Sequence, residues 1–102
     1  MQLKFNNDYL ELLFLGKETK KKPMYNEEVL IQFKKKVQIL QLIESTHELN
    51  KFKGLRFKPL KGKKIGLYSI RINQAYRLEF KIINELTIEI IIIEDLTNHY
   101  GD

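Results

Sequence analysis

Val29, Leu30, Phe33, Val37, Leu40 and Ile43 recur at three- and four-residue intervals, the spacing of one face of an α-helix. Asn26 precedes Glu27 and Glu28 as a helix start. Its side chain can take an N–H of the first turn, and the two acids complement the positive end of the helix dipole. The pattern predicts a helix from Asn26 to about His47, with His47 against the negative end. After about Asn50 the period changes to two. LRFKPL reads as a short strand ending near Pro59, IGLYSIRI as the next, YRLEFKI as the third and LTIEIIII as the last. Asn73, Gln74 and Ala75 close a hairpin, and Asn84 with Glu85 turns the chain into the final strand. That strand is almost continuous in isoleucine, as a central strand buried on both faces requires.

Upstream, MQLKF alternates as a first strand. YLELLFLG, capped by Asn7 or Asp8 and stopped at Gly16, reads as a short helix. The polar, lysine-rich stretch KETKKKP joins it to the long helix. The resulting order, β-α-α-β-β-β-β, predicts the α+β class: an antiparallel or mixed sheet with two helices packed on one face.

Alternation also sorts the hairpin side chains. Tyr68, Ile70 and Ile72 share a face with Tyr76, Leu78 and Phe80, and this apolar face must meet the helices. Ser69 and Arg71 point the other way, with Arg77, Glu79 and Lys81. The loop KPLKGKK adds Lys58, Lys61, Lys63 and Lys64 beside Gly62. Two arginines on a polar sheet face can grip a phosphate through planar forks that stay charged at any physiological pH. The competing reading pairs Arg71 and Arg77 with Glu79 or Glu89.

Length and composition narrow the function classes. A chain of 102 residues is expected to form one domain over 1–102. It has no cysteine, which excludes disulfides, thiolate nucleophiles and cysteine-held zinc. His47 and His99 are the only histidines and lie far apart, so neither a metal site nor a cofactor is expected. MQLKFNNDYL has no secretory pattern, and LTIEIIIIEDL is too short to span a bilayer and is broken by Glu89. A soluble cytoplasmic protein with no membrane partner is expected. The formal net charge of +5 and sequence pI of about 9.4 favour a polyanion such as nucleic acid.

FKPLKGKKIGLYSIRINQAYRLEF resembles the signature of the HigB-like toxins in the RelE/ParE superfamily of bacterial toxin–antitoxin modules. The pieces are Pro59 to Gly62, Tyr68 to Asn73, and Tyr76 with Arg77. The ending Asn98-His99-Tyr100 resembles the C-terminus of one branch of that family. The resemblance covers about Leu55 to Tyr100. Further upstream only the element order and the lysine-rich linker match. It implies a small curved, mainly antiparallel sheet with two N-terminal helices. It also implies a ribosome-dependent endoribonuclease that cuts mRNA in the ribosomal A site by attack of a 2′-hydroxyl on the adjacent phosphate. The implied partners are a cognate antitoxin of helix-turn-helix type, the ribosome and mRNA.

Carried over by position, Arg77 would stabilise the transition-state phosphate and Arg71 would support it. His99 would act in acid/base catalysis and Tyr100 in base stacking or proton transfer. Lys58, Lys61, Lys63 and Lys64 would hold RNA phosphates. Two departures bear on the acid/base set. Lys58 stands where some members have His, and the Asp-Tyr-His ending is rearranged, with Asp95 four residues before His99. Two other readings stay open: a ParE-like gyrase poison, and a non-catalytic RNA- or protein-binding module on the same basic face.

Overall fold

The computed structural model describes residues 1–19 and 24–98. The first strand, β1 (Gln2–Phe5), turns Leu3 and Phe5 inward and Gln2 and Lys4 outward. Helix α1 (Asp8–Leu15) starts where Asn7 Oδ1 accepts the Leu10 N–H at 3.1 Å. It ends at Gly16, whose left-handed backbone (φ 72°) lets its N–H and that of Lys17 return to the carbonyls of Leu13 and Leu12. Helix α2 (Glu27–Leu42) is capped by Asn26 Oδ1, which accepts the Val29 N–H at 2.9 Å. Among the described residues no helix is long and apolar enough to cross a membrane.

α2 is shorter than its periodicity predicts. It stops at Leu42, Ile43 is extended (ψ 153°), and His47 is exposed on a separate 3₁₀ turn, Thr46–Lys51, rather than closing the helix. The cause is a local competitor for backbone hydrogen bonds. The Glu48 carboxylate accepts the N–H groups of Glu44 at 2.6 Å and Ser45 at 3.0 Å, in an S-x-x-E arrangement that begins a new turn. These backbone donors hold the Glu48 carboxyl below its usual range. Thr46 then donates both N–H (2.9 Å) and hydroxyl (2.6 Å) to Glu89, tying the turn to the last strand.

The predicted LRFKPL strand also contracts. Lys53–Leu55 is a 3₁₀ turn and Arg56 is left-handed (φ 49°). Only Lys58–Pro59 pairs, as β2. Proline cannot donate to a ladder, so this segment serves as a two-residue edge. β3 covers only Tyr68–Arg71 of the predicted IGLYSIRI. β4 (Tyr76–Glu85) and β5 (Ile88–Asn98) both overrun their predicted ends. The turn between them falls at Leu86 (φ 57°, fully exposed) and Thr87, not at Asn84 and Glu85. β5 carries a bulge: Glu79 faces Asp95 while Phe80 faces Ile93, so Glu94 is the extra residue. The bulge lets Ile93 and Leu96, three apart, both reach the core. It also breaks the two-residue rhythm that would have extended the strand in the sequence.

The sheet order is β1-β5-β4-β3-β2, with β1 parallel to β5 and the other neighbours antiparallel. Both α-helices lie on one face, where Leu10, Phe33 and Leu40 meet Ile70, Leu78, Phe80 and Ile91 in one apolar core. Tyr68, Ile72 and Tyr76 belong to this side, as the alternation predicts. The opposite face sets Arg71 beside Arg77 at its β2–β3–β4 end.

Candidate functional site

The face opposite the helices is built by register. Lys58 on β2 lies opposite Ser69 on β3, and Ser69 lies opposite Glu79 on β4. One step along, Arg71 lies opposite Arg77, and Arg77 opposite Thr97 on β5. Arg56, Lys58, Ser69, Arg71, Asn73, Gln74 and Arg77 line a cleft of about 190 Å³. Four of these seven are cations and none is an acid. Concentrated positive charge over a low-dielectric sheet attracts anions and holds them more firmly than the same charges in open water.

Among the described residues, Glu79 and Glu89 pair with other groups than Arg71 and Arg77. Glu79 is 5% exposed, and its Oε2 accepts from Lys64 Nζ at 2.7 Å and from the Thr97 hydroxyl at 3.1 Å. Glu89 faces the helix side and is occupied by Thr46. Arg71 Nε donates to the carbonyl of Asn73 at 3.2 Å, which steadies the side chain. Asn73 Oδ1 accepts the N–H groups of Ala75 and Tyr76, both at 2.8 Å, and shapes the hairpin that sets Arg71 against Arg77.

The site residues expected from the sequence divide into three groups. Arg71, Arg77 and Lys58 come together in the cleft. Lys64 is drawn into the ion pair with Glu79, and Lys61 and Lys63 are exposed on the neighbouring turn. His99 and Tyr100 lie outside the described residues, immediately after Asn98 at the end of β5. Sequence reasoning missed Arg56. It sits in a predicted strand where alternation gives it no role, and only its left-handed backbone places it at the cleft. A positive φ at a non-glycine residue recurs at binding sites and costs about 1–2 kcal/mol. Sequence reasoning also treated Ser69 as an ordinary polar position. It is 1% exposed, and its hydroxyl has no hydrogen-bond partner among the described residues.

A small α+β protein with a mixed five-stranded sheet, helices on one face and a cationic cleft on the other shares its fold with structures of bacterial toxins. A YoeB/ParE toxin from Agrobacterium tumefaciens superposes with a TM-score of 0.59 at 17% identity, covering 98% of this chain and 100% of that one. YafQ from E. coli gives 0.58 at 8% identity, covering 98% and 94%. A conserved hypothetical protein of Helicobacter pylori gives 0.55 at 17% identity, covering 98% and 96%. No curated protein sequence matches significantly. Residues 3–94 match the model of the HigB-like toxins, the RelE-like toxins of type II toxin–antitoxin systems, and the chain belongs to that family. It is therefore a type II toxin, and such a toxin has an antitoxin partner.

Proposed function

We propose that this toxin is a metal-independent endoribonuclease that cuts mRNA on the ribosome. The observation that carries the reading is the juxtaposition of Arg71 and Arg77 with Lys58 and Arg56 in a cleft that no acid lines among the described residues. Cleavage by 2′-hydroxyl attack builds a second negative charge on the phosphorane. Preorganised guanidinium groups stabilise that charge more in the transition state than in the ground state. Arg77 takes this role, and Arg71 and Lys58 hold the non-bridging oxygens and the neighbouring phosphate. The reaction also needs a base for the 2′-hydroxyl and an acid for the leaving 5′-oxygen. By its place in the family pattern, His99 supplies one of these, and Tyr100 stacks on the adjoining base or assists proton transfer. The products are a cyclic phosphate and a 5′-hydroxyl. The antitoxin covers the cationic face, and the ribosomal A site presents the mRNA strand.

The test is a translation extract carrying one defined mRNA, dosed with the purified protein, with RNA 5′ ends mapped. His99→Ala protein and a ribosome-free reaction run in parallel. In-frame cuts that need ribosomes and vanish with His99→Ala are expected. Intact mRNA in every lane overturns the reading and brings gyrase poisoning, or binding without cleavage, to the front.

A further inference from the structure

Ser69 sits in the floor of the cationic cleft, and its hydroxyl is buried without a partner among the described residues. Buried hydroxyls are nearly always satisfied, so an orphan is a specific anomaly. The surroundings explain it. The side chains of Arg56, Lys58, Arg71 and Arg77 offer only donors. Both acceptors of Asn73 are already engaged. Asn73 Oδ1 takes two backbone N–H groups, and the Asn73 carbonyl takes Arg71 Nε. The Glu79 carboxylate, opposite Ser69 on the next strand, takes Lys64 and Thr97 through Oε2. The Ser69 hydroxyl is thus unpartnered among the described residues, in a cleft whose described lining holds four cations and no acid.

We infer that Ser69 is a phosphate ligand: its hydroxyl donates to a non-bridging oxygen of the phosphoryl group that Arg56, Lys58, Arg71 and Arg77 surround. The inference rests on the proposed function only for the identity of the anion, a phosphodiester of RNA. The hydroxyl is neutral and fixed on a strand flanked by β2 and β4. It therefore orients the phosphate, while the flexible cations supply the attraction. A neutral donor also distinguishes itself experimentally, because its removal leaves net charge unchanged and the salt dependence of binding intact.

The experiment titrates the full-length protein with inorganic phosphate and with a 2′-O-methyl oligoribonucleotide, which cannot be cleaved, by calorimetry at low salt. Ser69→Ala, Ser69→Thr and the parent are compared, with thermal melting of each. A hydrogen bond to a charged acceptor makes the expected loss for Ser69→Ala about tenfold or more in affinity for both probes. The salt slope should be unchanged and the melting temperature equal or higher, because an unsatisfied polar atom has been removed. Ser69→Thr, which keeps the hydroxyl, should retain binding. Parental affinity in Ser69→Ala, or a parent that binds neither probe, overturns the assignment. If Ser69→Ala weakens both probes while translation extracts show no mRNA cleavage, the ribonuclease reading fails and the phosphate ligand stands.

Discussion

Arg71 on β3 and Arg77 on β4 are direct cross-strand neighbours on the face turned away from the helices. Like charges placed opposite each other on a sheet repel. The arrangement becomes favourable when an anion bridges the two guanidinium groups.

Two consequences can be measured. Replacing Arg77 by Gln is expected to lower the cleavage rate constant by about 10²–10³, the usual cost of one preorganised donor at a developing oxyanion. Arg71→Gln should mainly weaken RNA binding. For single-stranded RNA, each substitution should flatten the plot of log affinity against log salt by about 0.7, the share of one neutralised phosphate. Quench-flow cleavage assays and fluorescence anisotropy at several salt concentrations read these out. Unchanged salt slopes in both variants would show that neither arginine meets a phosphate.

Lys64 offers a contrast inside the same lysine loop. Its ammonium is 2.7 Å from Glu79 Oε2, and the carboxylate is almost fully buried while the lysine side chain is 46% exposed. Removing the lysine strands a buried carboxylate with the Thr97 hydroxyl as its remaining partner among the described residues, which makes Lys64 structural. Lys64→Met is expected to cost about 1–2 kcal/mol, less than a fully buried pair would because water reaches the lysine. The double variant Lys64→Met with Glu79→Gln should recover part of that loss. Lys58→Met, at the exposed edge of the cleft, should leave stability within about 0.5 kcal/mol while reducing phosphate affinity several-fold. Urea midpoints and phosphate titrations on the four proteins decide between the roles. Greater loss of phosphate affinity in Lys64→Met than in Lys58→Met would reverse the assignment.

The sequence disclosed the fold through signals that are local and repeated. The a/d-like spacing of Val29, Phe33, Val37 and Leu40 and the alternation of Tyr68, Ile70 and Ile72 each report a buried face, and all seven residues pack on one side of the sheet. What escaped it depends on single side chains acting against the pattern. Glu48 captured two backbone N–H groups and ended α2 early. The Glu94 bulge shifted the rhythm of β5. The cleft was half legible. Arg71 and Arg77 followed from strand alternation, and the family pattern supplied their role. Arg56 depended on a left-handed backbone, and the orphan state of Ser69 on how its neighbours spend their acceptors. Neither property has a residue-spacing signature.

The strand that leads toward His99 is anchored by Tyr25, and this anchor should make the protein labile to alkali. Tyr25 precedes α2, donates its hydroxyl to the Leu96 carbonyl at 2.9 Å, and meets Tyr76 edge-on with ring centroids 5.6 Å apart. Burial, reinforced by the Asp95 carboxylate and by Tyr9 and Tyr76, pushes its pKa from 10.0 up to about 12. The folded state thus keeps the phenol proton to higher pH than the unfolded state does. The stabilisation is fully present below pH 10 and is lost as pH rises from 10 through 12. Two units correspond to about 2.7 kcal/mol at most, and partial solvent access reduces this to about 1–2 kcal/mol. Tyr25→Phe removes both the hydrogen bond and the titration. It should be less stable than the parent by about 1 kcal/mol at pH 8, and the gap should close or invert by pH 11 to 12. Comparing the two proteins at each pH cancels the lysines, which titrate in the same range in both. Urea unfolding at pH 8, 10 and 11 measures the gap. A constant difference would mean that Tyr25 ionises as readily folded as unfolded, and that its hydroxyl does not secure the end of β5.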